Sequence, residues 1–384
     1  MHGIHPKFKL ANEHKIVHIK DVGNKEVQVS SFEGEMHFGD IKCPDHSEEI
    51  CCLYCQNCNF GKLKSKNEMD EEKESCMKIE LKIGKKYSTN LLSIMRVKHS
   101  IDGSIWVYSP SDDDHKTGSL QKLKLIENTL HEISKYELVV HDMTITPLND
   151  ILLCTDNDKI EGIDNKTGQL RNTKYNACLN AGCLVPSAIC MKGNTIIFSA
   201  VNTDYPAHGR RVVIRLNKNG KQEHLHEYWG NGKPIFSFPL FLQCSNDKDN
   251  IFVVDGLSGE PLSAFRIILI LGTEKIDKYV GHSSINSFDQ KFCPTDIQVA
   301  PSNNIIVNDF NTDTLHILNP SGQLSAYVSL SDMGIQNSFS LCCTSTQLFI
   351  GCHPVQENEC ESIQENTNIA KLCELNIEGC SHFV

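Results

Sequence analysis

The chain has 384 residues, 40% of them hydrophobic, with 37 Lys plus Arg against 48 Asp plus Glu for a formal charge of -11, and 18 cysteines. That length holds one large domain or two modest ones. The longest unbroken apolar runs, such as 267–271, fall far short of the roughly 20 residues a membrane helix needs, so no membrane-spanning helix and no membrane partner is expected.

The first residues, MHGIHPKFKL, lack the apolar core of a secretory signal, which places the chain in the cytoplasm as an expectation. Its cysteines are then reduced thiols or metal ligands. Residues 43–58 read CPDHSEEICCLYCQNC, where Cys43 and His46 form a C-x2-H pair and Cys55 and Cys58 a C-x2-C pair. Close pairs of this kind let two ligands reach one tetrahedral zinc from a tight turn. Upstream, His5, His14 and His18 lie in IHPKFKLANEHKIVHIKDVG; by themselves they read as surface histidines. Residues 1–60 are therefore expected to form a small zinc-binding region.

Residues 61–76 read as a charged linker without heptads, too short for a coiled coil, so a monomer is expected. MKIELKI at 77–83 alternates apolar and charged residues, the pattern of a half-buried strand.

From about residue 91 a strand pattern recurs six times. Its second member reads GSIWVYS at 103–109, DILLCTD at 150–156, NTIIFSA at 194–200, NIFVVDG at 250–256, NIIVNDF at 304–310 and QLFIGCH at 347–353. The spacings are 47, 44, 56, 54 and 43 residues, about the period of four short strands with their turns, the unit of a propeller blade. An apolar strand precedes each segment, as PTDIQVAP precedes NIIVNDF, and a third strand follows it. Asn-Lys-Thr-Gly, Asn-Lys-Asn-Gly and Asn-Pro-Ser-Gly supply the positive φ of tight hairpins. The sixth repeat has only three clear strands, so MKIELKI is predicted to close the ring as its outer strand, because an open blade edge exposes a row of backbone donors and acceptors. Residues 77–384 are thus expected to form an all-β, six-bladed propeller. Cys154, Cys190, Cys244, Cys342 and Cys343 sit in apolar strand contexts and read as small buried thiols.

The two ends together resemble one known family. C-x2-H-x8-C-x2-C at Cys43–Cys58 resembles the first half of a second-type B-box zinc finger, and HPKFKLANEHKIVHIKDVG the tail of a preceding B-box. Repeats such as VNDFNTDTLHILNPSGQL resemble the NHL-like (NHL/TolB-like) propeller at the C-terminus of tripartite-motif proteins, most closely the molluscan expansion of that family. The resemblance implies zinc (Zn2+) held by Cys43, His46, Cys55 and Cys58, with His5 and His14 as ligands of the earlier finger, and a place in ubiquitination or innate immune signalling. RING finger and coiled coil are absent from the sequence, and the B-boxes are partial, so at most one zinc site is expected.

Function then lies between a protein-binding adaptor and two other classes. A calcium-dependent lactonase or esterase of the same architecture would draw on Asp156, Asp255, Asn308, Asp309 and His353 around an axial metal. The plainer reading has the Asp or Asn after each second strand bonding the turn into the third. RNA binding calls for a basic face, whereas residues 87–384 hold 23 Lys plus Arg against 33 Asp plus Glu. Arg210, Arg211 and Arg215 are the one candidate basic patch, and nucleic acid is not an expected partner. His224 and His226 form an H-x-H on an expected outer strand. The inserts at 112–117, 203–210 and 355–368 are the candidate contact loops.

Overall fold

A computed structural model describes residues 80–111, 117–156, 159–179, 184–202, 209–257, 265–272, 275–354 and 369–378, together with the backbone of short strands before residue 56. The chain divides into two compact units, Met1–Cys76 and Met77–Val384. In the first, Ile16–His18 pairs with Leu53–Cys55, and Lys42–Cys43 pairs with His46–Ile50 in a hairpin that sets Cys43 opposite His46. The side chains of Cys43, His46 and Cys55 lie outside the described residues, as do His5, His14 and Cys58 altogether.

The second unit is six four-stranded antiparallel sheets. Blade 1 is Arg96–His99, Ser104–Pro110, Gly118–Ile126 and Thr129–Glu137; blade 2 is Val140–Ile145, Ile151–Thr155, Lys159–Ile163 and Leu170–Asn172. Blade 3 is Leu184–Lys192, Thr195–Asn202, Arg211–Leu216 and Gln222–His226; blade 4 is Pro239–Cys244, Ile251–Gly256, Phe265–Leu271 and Lys275–Tyr279. Blade 5 is Pro294–Val299, Ile305–Asp309, Thr314–Leu318 and Leu324–Ser329, and blade 6 begins Ser338–Cys343, Gln347–Cys352 and Lys371–Glu378. In each blade the first strand is innermost and packs on the first strands of the neighbouring blades, and that of blade 6 packs on that of blade 1. The ring is closed.

Closure comes from the segment before blade 1, as the alternation at 77–83 predicts. Glu80–Ser88 pairs antiparallel with Lys371–Glu378 as the fourth strand of blade 6. The strand extends beyond the alternating run to Ser88, and Tyr87 anchors that far end by donating its hydroxyl to Glu374 Oε2 at 2.6 Å.

Second strands are buried along all or nearly all of their length, as Ser104–Pro110 and Ile251–Gly256 show, whereas outer strands such as Gln222–His226 are mostly exposed. This gradient follows from the layering, since a second strand has apolar faces on both sides. The buried side chains form six clusters, one between each pair of neighbouring blades. In blades 2, 3 and 5 the hairpins joining third and fourth strands share one device. Asp164, Asn217 and Asn319 each accept backbone N–H groups of the following turn through Oδ1. Gly168, Gly220 and Gly322 then take the left-handed φ of 68°, 79° and 86° that the turn needs.

Candidate functional site at the propeller axis

Five of the six inner strands carry a register shift at one place: between Val140 and Asp142, Pro186 and Ala188, Pro239 and Phe241, Pro294 and Asp296, and Ser338 and Ser340. Three of these strands place a proline there, where the interrupted ladder needs no N–H. The bulge puts Asp142, Ala188, Phe241, Asp296 and Ser340 at equivalent positions. Arg96 takes that position in blade 1, opposite Tyr108 on the second strand. Two residues further along stand Lys98, Thr144, Cys190, Gln243, Gln298 and Cys342.

Two cations and two anions thus gather where inner strands meet. Asp142 Oδ2 accepts the Ile189 N–H of blade 3 at 2.8 Å, and Asp296 Oδ2 accepts the Leu341 N–H of blade 6 at 2.8 Å. Arg96 donates from Nε to the His141 carbonyl at 2.7 Å and from Nη1 to the Met95 carbonyl. Its Nε lies 3.8 Å from Asp142 Oδ1, and its guanidinium carbon sits 4.2 Å from the ring centre of Phe241. Such a stack adds attraction between the cation and the ring face. Burial lowers the Arg96 pKa against the pull of Asp142 and Asp296. Burial would also lower that of Lys98, but the charges of Asp296 and Asp142 outweigh it and raise it. For Asp142 burial wins, and its carboxyl is raised in spite of Lys98 and Arg96. The four charges cancel, the condition under which buried ions are tolerated.

Above this cluster, at the end where the inner strands begin, lies a cavity of about 320 Å³. Its walls are chiefly apolar, with Val140, Val185, Pro186, Leu240 and Phe241 among them, and Arg96 lies in its lining. His141 stands on the lining as well and holds Asp156 at 2.8 Å through Nε2.

The residues named for an axial metal do not converge. Asp156 is exposed beside His141. Asp255 is fully buried; its Oδ1 accepts Phe238 N–H at 2.7 Å and its Oδ2 binds two Arg266 nitrogens. Asp309 accepts Cys293 N–H at 2.9 Å, the Asn286 amide at 2.6 Å and the Thr312 hydroxyl at 2.8 Å, with His316 Nε2 at 3.4 Å. Asn308 donates to Thr295 Oγ1 and the Ser338 carbonyl, and His353 packs edge-on against Phe310 and Phe339. Among the described residues no group of three His, Cys, Asp or Glu is placed to hold a metal ion.

Two expectations are corrected here. The acids after the second strands mainly clasp the loop leading into their own inner strand, as Phe238 on Asp255 and Cys293 on Asp309 show; only Thr312 belongs to the turn that follows. The reason is reach: the second strand ends beside that incoming loop, whose N–H groups lack ladder partners. Nor do the three arginines make a basic patch. Arg210 binds Glu227 through two nitrogens, Arg211 is buried on Asn202 and the Ser237 carbonyl, and Arg215 pairs with Glu223 and Asp249. His224 and His226 lie on the outer strand of blade 3, as expected, opposite Arg215 and Val213. The insert segments 112–116, 203–208 and 355–368 fall outside the described residues.

Arg96, Lys98, Asp142 and Asp296 escaped sequence reasoning because Asp142 and Asp296 are each the one acid of a short strand, and the alternating Arg96 and Lys98 of RVKH look no different from a solvated strand face. The available signal was the pair VHDMTI and PTDIQV, in which Asp stands two residues after the strand start in blades 2 and 5.

The fold and its axial site define a six-bladed β-propeller. PQQ-bound aldose sugar dehydrogenase from Streptomyces coelicolor superposes at a TM-score of 0.50 with 12% identity, over 79% of this chain and 99% of that one. The calcium-binding protein regucalcin from Agrobacterium tumefaciens gives 0.48 with 10% identity over 76% and 95%, and virginiamycin B lyase from Staphylococcus aureus 0.47 with 13% over 78% and 99%. At such identities the likeness concerns the fold alone. No protein-family model and no curated protein matches the chain, and the tripartite-motif and B-box resemblance rests on the sequence motifs.

Proposed function

We propose that the propeller is a non-catalytic, protein-binding adaptor of the tripartite-motif type, which takes its partner at the mouth where the inner strands begin. The charge arrangement at the axis carries this reading. An axial divalent cation needs several inward oxygen donors and no competing charge. Here Arg96 and Lys98 already neutralise Asp142 and Asp296, while Asp255, Asn308 and Asp309 are spent on interior hydrogen bonds. The donor set does not fit a metal hydrolase, and a rigid ring with an apolar cup fits a binding platform.

Calcium titration of thermal unfolding tests the reading, since a ligand selective for the folded state raises the melting temperature. The expected result is no shift up to millimolar calcium; a saturable rise would favour the enzyme reading instead. For the N-terminal unit we propose a single zinc on Cys43, His46, Cys55 and Cys58, a ligand set of the right kind and number. Native mass spectrometry of the full chain before and after chelation should find one zinc on a monomer; a metal-free chain would overturn that assignment.

A further inference from the structure

We infer that the mouth cavity recognises the C-terminal carboxylate of a partner polypeptide that ends in a large apolar residue. This rests on the reading of that face as a protein-binding platform, and it names the chemistry the platform reads. Arg96 is 8% exposed, with Nε and Nη1 committed to the His141 and Met95 carbonyls. Its Nη2 has no hydrogen-bond partner among the described residues, and it is not among the side-chain atoms sealed from solvent without one. Arg96 lines the cavity, and we take Nη2 as the donor it offers to a ligand there.

A guanidinium donor at the wall of an apolar cup calls for an oxygen acceptor, and a charged acceptor gives about twice the strength of a neutral one. The rest of the wall calls for an aliphatic or aromatic group. A volume of about 320 Å³ is at the small end of ligand pockets and takes one or two residues of a chain. An internal residue brings an apolar side chain to that depth without a carboxylate. Only a chain end brings both within one residue, with the carboxylate leading toward Arg96 and the side chain against Val140, Val185, Leu240 and Phe241. The four axial charges are already balanced, so the arriving anion is compensated at Asp142, whose carboxyl burial pushes toward the neutral form.

Two fluorescein-labelled peptides, Gly-Ser-Gly-Ser-Leu-Phe with a free C-terminus and the same peptide as its C-terminal amide, test this by fluorescence anisotropy on the full chain. The free acid is expected to bind at least about tenfold tighter, as a charge-assisted hydrogen bond implies. Leu240→Glu, which puts a carboxylate on the half-buried wall, should remove that binding at a melting temperature close to wild type. It spares Arg96, whose loss would strand Asp142 and endanger folding. Equal affinity for acid and amide, or no binding of either at millimolar peptide, overturns end recognition. If peptides capped at both ends are selected on the wild-type chain and lost with Leu240→Glu, the platform reading stands while end recognition falls.

Discussion

Asp142 and Asp296 occupy the same strand position in opposite blades and do the same work: each carboxylate accepts the N–H of the residue one place further along the inner strand of the next blade, Ile189 and Leu341, at 2.8 Å in both cases. The propeller therefore carries two matched clasps across its axis, at the junctions of blades 2 with 3 and 5 with 6. Lys98 and Arg96 supply the balancing charge.

Removing either carboxylate should then strand both a buried N–H and a buried cation. Asp142→Ala and Asp296→Ala are each expected to lower unfolding stability by about 3 kcal/mol, the cost of breaking one side of a buried charge pair. The Asn variants keep an acceptor oxygen and should lose less. Urea denaturation checks this, and Ala and Asn variants equally stable to wild type would show that the clasps carry no load.

Asp309 gives a pH dependence. Burial acts to raise its carboxyl pKa, but the nearby His316 and the bonds from Cys293, Asn286 and Thr312 prevail and hold it below the ordinary value. A carboxyl depressed in the folded state contributes stability above its unfolded pKa of about 3.9, and that contribution is lost as pH falls through the folded value. Melting temperature should accordingly fall as pH drops below about 4. Asp309→Asn should be less stable at pH 7 and show a shallower acid decline, measured by calorimetry across that range. A parallel decline in the two proteins would remove Asp309 as a source.

The blade period was legible because second strands such as Ile251–Gly256 and Ile305–Asp309 are buried on both faces, so their apolar runs stand out against the polar hairpins. Ring closure was legible because alternation at 77–83 had no partner nearby and blade 6 lacked a strand. The axial cluster was not, because a charge such as Lys98 or Asp296 gains its meaning only from blades up to about 200 residues apart in sequence, which no local period encodes. Likewise Asp255 and Asp309 look like turn residues, and only the fold sets them against Phe238 and Cys293.

Closure makes a direct prediction. Glu80–Ser88 covers the edge of Lys371–Glu378 and brings Tyr87 onto Glu374, whose other oxygen binds the Gln347 amide at 2.6 Å. A chain starting at residue 89 would bare that edge, leave Glu374 half-satisfied and expose the buried face around Leu81 and Tyr87. It should melt at least several degrees lower and associate in a concentration-dependent way, since open edges pair with other chains. Scanning calorimetry and sedimentation velocity read the two effects separately, and an unchanged, monomeric protein would place the stability of blade 6 elsewhere.

Gly351 tests how closely blades 6 and 1 approach. It lies on the second strand of blade 6, opposite Ser340, and a Cβ there would press on Ile94 Cγ2 and Ser340 Oγ. Both neighbours are fully buried, and Ser340 donates its hydroxyl to the Ile94 backbone carbonyl at 3.1 Å, so Ser340 cannot swing away without breaking that bond and the Ile94 side chain has no open space to turn into. Overpacking at such a point costs about 1–3 kcal/mol, and Gly351→Ala should lose that much in urea. The paired change Ile94→Ala removes Cγ2, the atom the new methyl meets, so the double variant should lose less than the sum of the two single changes. A strictly additive double variant would mean that the strain is relieved through the backbone instead of through Ile94.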